Sequence, residues 1–95
     1  MHATFWNERY GAQEYVYGTA PNAWFAAQLS LLTPGRILLP AEGEGRNAVY
    51  AAQQGWEVTA FDISESGRSK ALNLADVKGV TLTYHVGTLE EIPAL

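Results

Sequence analysis

The chain has 95 residues, a formal net charge of −4 and no cysteine. This length is enough for one small domain, and a composition of 47% hydrophobic and 17% charged residues favours a packed core over disorder. The acidic balance disfavours nucleic-acid binding, the absence of cysteine excludes disulfides and thiolate chemistry, and no apolar run approaches the roughly 20 residues of a membrane span.

The N-terminal residues contain no basic region followed by an apolar stretch, so no signal peptide is predicted and the expected location is the cytoplasm. Residues 5–19 are aromatic-rich, punctuated by glycine and without periodicity, which predicts an irregular or short helical arm. A helix should follow near Pro21, capped by Thr19 or Asn22 and ended by Thr33-Pro34-Gly35. Its residues at helical spacing are Trp24, Phe25, Gln28, Leu29 and Leu32.

A strand and a glycine-rich turn come next. The apolar run Ile37–Leu39 is typical of a parallel strand buried on both faces. The spacing Gly43-x-Gly45-x-x-Ala48 then matches a loose nucleotide-binding fingerprint, in which glycines allow a tight turn and close backbone approach. The following helix is predicted from Arg46 to Gln54, with Gly55 as its stop. Its inward-facing residues are predicted to be Val49, Ala52 and Tyr50.

The second strand is predicted over Glu57–Phe61 and leads into Asp62, 19 residues after the first glycine of the turn. A carboxylate at that position can accept hydrogen bonds from both hydroxyls of a ribose. Ser64 is a credible N-cap for a helix that runs to Ala75 or Val77 and closes at Lys78-Gly79. An alternating third strand is predicted over Val80–Val86.

This order of helices and strands predicts an α/β fold: the first half of a Rossmann-like, doubly wound parallel sheet with strand order 3-2-1 and an N-terminal helical, aromatic arm. We expect a single truncated domain over residues 1–95. Residues 1–35 would form the arm and first helix, and residues 36–95 the first three strands of the core. In such a half-sheet the strand at Ile37–Leu39 lies at an open edge, which predicts a homodimer or a longer parent protein.

The charge of the glycine turn indicates which nucleotide it suits. A dinucleotide places its pyrophosphate at the helix N-terminus, but Glu42 and Glu44 would repel that anion. S-adenosylmethionine carries the same adenosine with an ammonium and a sulfonium instead. The residues therefore favour S-adenosylmethionine as the cofactor.

At this point the chain resembles the class I S-adenosylmethionine-dependent methyltransferases. The octapeptide Ala41–Ala48 is similar to the first motif of the tellurite-resistance-protein-like subgroup, and Leu39-Pro40 and Asp62–Gly67 resemble the thiopurine methyltransferases. The resemblance runs from about Trp6 onward. It implies an enzyme that transfers a methyl group to a small-molecule nucleophile such as a thiol, selenium or tellurium centre.

The resemblance also implies roles for particular residues. Trp6 and Tyr10 would lie against the cofactor, although they could instead only pack the arm onto the domain. Glu42 could meet the cofactor's ammonium or face solvent. Arg46 could pair with the methionyl carboxylate, with Glu8 or Glu14 of the arm, or only in a surface salt bridge. The predicted cofactor-binding residues are Trp6, Tyr10, Ala41, Glu42, Gly43, Gly45, Arg46, Asn47, Asp62, Ile63, Thr88 and Leu89.

Ile63 could form an apolar wall for adenine or belong to the core. The hydroxyl of Thr88 and the backbone N–H of Leu89 would replace the acid that related enzymes use to meet the adenine amine. No metal site is predicted, because His2 and His85 are isolated. Two other functions stay open: a noncatalytic adenosine-cofactor-binding or dimerising module, and half of a pyridine-dinucleotide oxidoreductase, which Glu42 and Glu44 disfavour.

Overall fold

A computed structural model describes residues 18–40 and 42–87, in which helices and strands alternate. The elements are α1 (Ala23–Leu29), β1 (Arg36–Pro40), α2 (Arg46–Gln53), β2 (Glu57–Asp62), α3 (Glu65–Lys78) and β3 (Thr83–Val86). The predicted arm lies outside the described residues up to position 17. No helix in the described part of the chain is long and apolar enough to cross a membrane.

The three strands form one parallel sheet in the order β1-β2-β3, which confirms the predicted 3-2-1 order. Leu39 lies opposite Ala60, and Ala60 lies opposite Tyr84, so these three side chains share one face of the sheet. Both α2 and α3 contact the sheet, and their buried residues join Ala60 and Tyr84 in one core cluster. The helices α2 and α3 therefore cover this face, which we call the inner face.

The core of the inner face is built largely from alanine. Ala48 and Ala51 of α2, Ala60 of β2 and Ala71 of α3 have no exposed surface. Side chains this small let the helix backbones come close to the sheet and to each other, because little volume separates them. The predicted inward position of Val49 is confirmed, and Tyr50 and Ala52 are partly buried against the same core.

The helix ends follow their local signals. Asn22, rather than Thr19, caps α1 by accepting a hydrogen bond from the Phe25 N–H, so Pro21 precedes the cap and is not the first helical residue. Ser64 caps α3 as predicted, and its hydroxyl accepts from the Gly67 N–H at 3.0 Å. Gly79 ends α3 in the left-handed conformation, with φ of 72°.

Three sequence predictions about the elements are wrong in detail. The helix α1 ends at Leu29, so Leu32 lies beyond it and is exposed, as is Trp24. The strand β3 begins at Thr83, not Val80, because the Val80 N–H donates to the Ala75 carbonyl and so completes the C-terminal turn of α3.

The third difference concerns β1, which was expected to be buried on both faces. Its exposure alternates: Leu39 is partly buried on the inner face, but Leu38 on the opposite face is 48% exposed. Among the described elements, β1 pairs with β2 alone and stands at the edge of the sheet. We call the face that carries Leu38 the outer face.

Candidate functional site

The glycine turn connects β1 to α2 at the carboxyl edge of the sheet. Gly43 and Gly45 have φ of 58° and 85°, a conformation that side-chain-bearing residues rarely adopt. A Cβ atom at Gly45 would also lie only 2.4 Å from the Cβ of Ala71. Gly45 is thus required twice, once by its backbone conformation and once by the close approach of α3.

Asp62 ends β2 beside this turn, and both of its carboxylate oxygens contact the backbone. The Gly43 N–H donates to Oδ2 at 2.8 Å, and the Ile63 N–H donates to Oδ1 at 2.6 Å. A carboxylate offers about four lone-pair positions, so the two bonds seen within the described residues leave acceptor capacity for a ligand hydroxyl. Asp62 and Gly43, predicted from sequence to serve one site, are in direct contact.

Tyr84 of β3 also bonds to Gly43, at its carbonyl instead of its N–H. Its hydroxyl donates to the Gly43 carbonyl, and its side chain is buried. The hydroxyl can reach the turn after β1 because the intervening residue on β2 is the small Ala60. Sequence reasoning missed this role: the alternation of β3 indicates an inward side chain, but not a bond to a residue 41 positions earlier.

Glu42 is partly buried and does not simply face solvent, one of the two roles considered from sequence. Its Oε1 accepts a hydrogen bond from the Ala48 N–H at 2.6 Å. That N–H is near the start of α2, where the N-cap, Gly45, has no side chain to provide. Burial raises the pKa of Glu42 to about 7, despite hydrogen bonds from the Ala48 and Asn47 backbone and the Arg46 charge, which act in the opposite direction.

Glu44, the second glutamate of the turn, contacts α3. It is buried and forms an ion pair with Lys70, whose Nζ lies 2.8 Å from Oε2. The expectation that both glutamates present negative charge to a ligand is therefore wrong for Glu44, because Lys70 neutralises it. No local pattern points to Lys70 as the partner of Glu44, because Lys70 lies 26 positions further on.

Arg46 and Asn47 join α2 to the segment before α1. The Arg46 Nη1 donates to the Ala20 carbonyl at 3.4 Å, and the Asn47 Oδ1 accepts from the Asn22 N–H at 2.7 Å. Both residues were predicted to bind cofactor. In the structure Asn47 has a structural contact, while the remaining guanidinium donors of Arg46 are compatible with a ligand carboxylate.

The other predicted site residues divide into two groups. Ile63 is partly buried beside Asp62, at the position expected for a wall of the adenine site. The remaining predictions lie outside the described residues, namely Trp6, Tyr10, Ala41, Thr88 and Leu89. No group of three or more metal-binding side chains occurs within residues 18–40 and 42–87.

Two cavities in the described part of the chain lie away from this site. One of about 460 Å³ is lined by β1 and β2 residues that include Leu38 and Thr59. The other, of about 280 Å³, lies between α1 and α2 and is lined by residues that include Leu29 and Tyr50. Neither of these two cavities is lined by Gly43 or Asp62.

No protein-family model matches the chain. No curated protein matches it either.

Solved structures do share the fold. A structure from work on the conversion of a disulfide bond into a thioacetal group during echinomycin biosynthesis matches with a TM-score of 0.76 and 22% identity, over 90% of this chain and 39% of that one. A methyltransferase from Thiobacillus denitrificans in complex with S-adenosyl-L-homocysteine matches with a TM-score of 0.68 and 22% identity, over 92% and 37% of the two chains. Geranyl diphosphate methyltransferase in complex with GPP and sinefungin matches with a TM-score of 0.61 and 19% identity, over 96% and 49%.

The chain thus spans less than half the length of these three structures. At this identity the likeness establishes the fold: three parallel strands with helices, forming part of the α/β Rossmann-like fold of methyltransferases. The predicted fold class is confirmed.

Proposed function

We propose that the chain is an S-adenosylmethionine-dependent methyltransferase, or the cofactor-binding part of one. The observation that carries this proposal is the contact between Gly43 and Asp62 at the carboxyl edge of the parallel sheet. In open α/β sheets that edge is where ligands bind. Solved structures with the same fold include a methyltransferase holding S-adenosyl-L-homocysteine, which supports the same class of ligand here.

The described residues fit this cofactor. Asp62 has the acceptor capacity for ribose hydroxyls, and the turn at Gly43 permits a close backbone approach. The negative charge of Glu42 suits an ammonium or sulfonium, and Arg46 could meet a methionyl carboxylate. We further propose that Trp6 and Tyr10 cover the ligand, and that Ala41, Ile63, Thr88 and Leu89 complete the adenosine site.

In this mechanism the chain binds and orients rather than exchanging protons. When bound, the cofactor supplies a methyl group made electrophilic by its sulfonium. The role of Asp62 and the glycine turn is to fix the adenosine so that an incoming nucleophile can approach in line. This chemistry does not require a catalytic dyad, and His85 on β3 is assigned no role as a base.

The proposed acceptor is a small soft nucleophile, such as a thiol, selenium or tellurium centre. Support for it comes from the resemblance of Ala41–Ala48 to the tellurite-resistance-protein-like subgroup and of Asp62–Gly67 to the thiopurine methyltransferases. We also propose the cytoplasmic location that the sequence predicts.

Isothermal titration of the 95-residue chain tests the cofactor class. We expect S-adenosylhomocysteine and S-adenosylmethionine to bind more tightly than NAD or NADP, because Glu42 opposes a pyrophosphate at the turn. Adenosine serves as the control for contacts common to all four ligands. Equal or tighter binding of NAD would contradict the methyltransferase proposal.

A second candidate is a noncatalytic, dimerising module that keeps the adenosine site. It is favoured by the position of β1 at the edge of the described sheet and by the exposure of Leu38. Two copies could pair their β1 strands across a two-fold axis. Sedimentation equilibrium distinguishes the candidates: a stable monomer at micromolar concentration would contradict the dimer, whereas a dimer without methyl transfer would support it.

A further inference from the structure

The N-terminus of α2 is occupied by a carboxylate from the chain itself. Its N-cap is Gly45, which makes no side-chain cap hydrogen bond. The Glu42 Oε1 instead accepts from the Ala48 N–H at 2.6 Å. The first-turn N–H groups that a helix leaves unsatisfied are thus partly satisfied from within the preceding turn.

This occupation bears on ligand choice. In dinucleotide-binding folds, the helix that follows the glycine turn directs its free N–H groups and its positive dipole end at a pyrophosphate. Here a phosphate in that position would have to displace Glu42 and also approach its negative charge. A ligand without phosphate can lie beside the turn while Glu42 stays in place.

The charges around Glu42 do not reverse this preference. Arg46 of α2 and Asp62 of β2 are the charged groups that act on it from the neighbouring elements. Arg46 already donates to the Ala20 carbonyl, and Glu44 and Lys70 neutralise each other. Among the described residues, the turn therefore presents two carboxylates, Glu42 and Asp62, against one guanidinium.

We propose that Glu42 is a specificity-determining residue, whose carboxylate at the α2 N-terminus admits adenosine ligands whose tail carries an ammonium group and rejects those with a phosphate tail. The ligand class rests on the proposed function. The selection between the two tails rests on the contact of Glu42 with α2.

Selection by this carboxylate has a pH signature. Burial raises the pKa of Glu42 to about 7, so the group is largely protonated at pH 6 and largely ionised at pH 8. An ammonium group on the tail favours the ionised form, and binding should therefore release a proton near neutral pH. If only the ionised form binds such a ligand, affinity at pH 6 is about tenfold weaker than at pH 8, by linkage.

The experiment is isothermal titration of the full chain with adenosine, S-adenosylhomocysteine and ADP at pH 6 and pH 8. Glu42→Gln keeps an acceptor for the Ala48 N–H but removes the charge, whereas Glu42→Ala removes both. Glu57→Gln is the matched control: it removes one carboxylate at the opposite end of β2, where Glu57 is exposed and paired with Arg36. Circular dichroism confirms that each variant is folded.

For the wild type and for Glu57→Gln, we expect S-adenosylhomocysteine to bind about tenfold more tightly at pH 8 than at pH 6. Glu42→Gln should lose this pH dependence, and at pH 8 it should bind S-adenosylhomocysteine at least about tenfold more weakly than the wild type, because it has no ionised carboxylate. Adenosine, which lacks the tail, should bind all forms similarly. Glu42→Ala should gain affinity for ADP.

The inference is overturned if the ratio of S-adenosylhomocysteine to ADP affinity is the same in the wild type and both Glu42 variants. It is also overturned if Glu42→Gln keeps the pH profile of the wild type, because another group would then be responsible. These failures differ from failure of the proposed function, in which the wild type itself binds NAD as tightly as S-adenosylhomocysteine.

Discussion

Two neighbouring leucines of β1 lie on opposite faces of the sheet and differ in how much of their surface the protein covers. On the inner face, Leu39, Ala60 and Tyr84 pack under α2 and α3, and Tyr84 extends this packing to the glycine turn. On the outer face, the adjacent residue Leu38 is 48% exposed and lines an open cavity. Two leucines next to each other in sequence thus have different surroundings. The candidate site depends on the packing of the inner face, because Tyr84 bonds to the glycine turn.

The largest expected effect comes from Gly45→Ala, which combines a left-handed φ with a clash against Ala71. We expect a loss of about 3 kcal/mol in the free energy of unfolding, measured by urea denaturation. Gly79→Ala is the matched control, because Gly79 has φ of 72° but no atom near its added Cβ. Its expected cost is about 1 kcal/mol. Equal losses in the two variants would contradict a packing role for Gly45.

Asp62→Ala should weaken binding of S-adenosylhomocysteine by about 1.5–3 kcal/mol, the usual size for hydrogen bonds to a charged group. Asp62 also accepts the Gly43 N–H, so the free energy of unfolding should fall as well. Asp76→Ala, a substitution on the exposed side of α3, controls for the loss of one carboxylate. Titration calorimetry of the folded variants measures the difference. Unchanged affinity in Asp62→Ala would assign the residue a purely structural role.

Tyr84→Phe keeps the ring but removes the donor to the Gly43 carbonyl. We expect a loss of about 1 kcal/mol in the free energy of unfolding, because the Gly43 carbonyl of the turn loses its buried hydrogen-bond donor. Tyr50→Phe, at a partly buried tyrosine of α2, is the control and should change stability by less than about 0.5 kcal/mol. If the two variants behave alike, the hydroxyl of Tyr84 has no special role.

The smallest effect on stability is expected for substitution of Leu38, on the outer face. Leu38→Ala should change the free energy of unfolding by less than about 0.5 kcal/mol, since the side chain is already half in contact with solvent. Leu39→Ala, one residue later on the inner face, should cost about 2 kcal/mol. Urea denaturation of both variants, each at two protein concentrations, measures the two changes in the free energy of unfolding. A large, concentration-dependent cost for Leu38 would show that a second copy covers the outer face.

Features with a local cause could be predicted from the sequence. The glycine turn and the Ser64 cap each depend on residues within a few positions of each other, and the strand order follows from the right-handed connections between successive parallel strands. The contact of Asp62 with the turn was also within reach, because the carboxyl ends of neighbouring parallel strands meet at one edge.

The features that could not be predicted from the sequence depend on contacts with distant residues or on competition between two local structures. Lys70 neutralises Glu44 from 26 positions away, and Tyr84 bonds to Gly43 from 41 positions away. Val80 fits the alternation of a strand, but its N–H completes the end of α3. The exposure of Leu38 depends on what covers the outer face, which an apolar run alone does not specify.

The Gly43 peptide is held at both ends, since its N–H donates to Asp62 and its carbonyl accepts from Tyr84. The turn after the first strand is thereby connected to the second and third strands of the sheet. Local opening of β3 would remove one of these bonds and free the turn with it, so the two should open as one cooperative unit. In hydrogen exchange, the Gly43 amide should then be protected to the level of the β3 amides, although it lies in a turn.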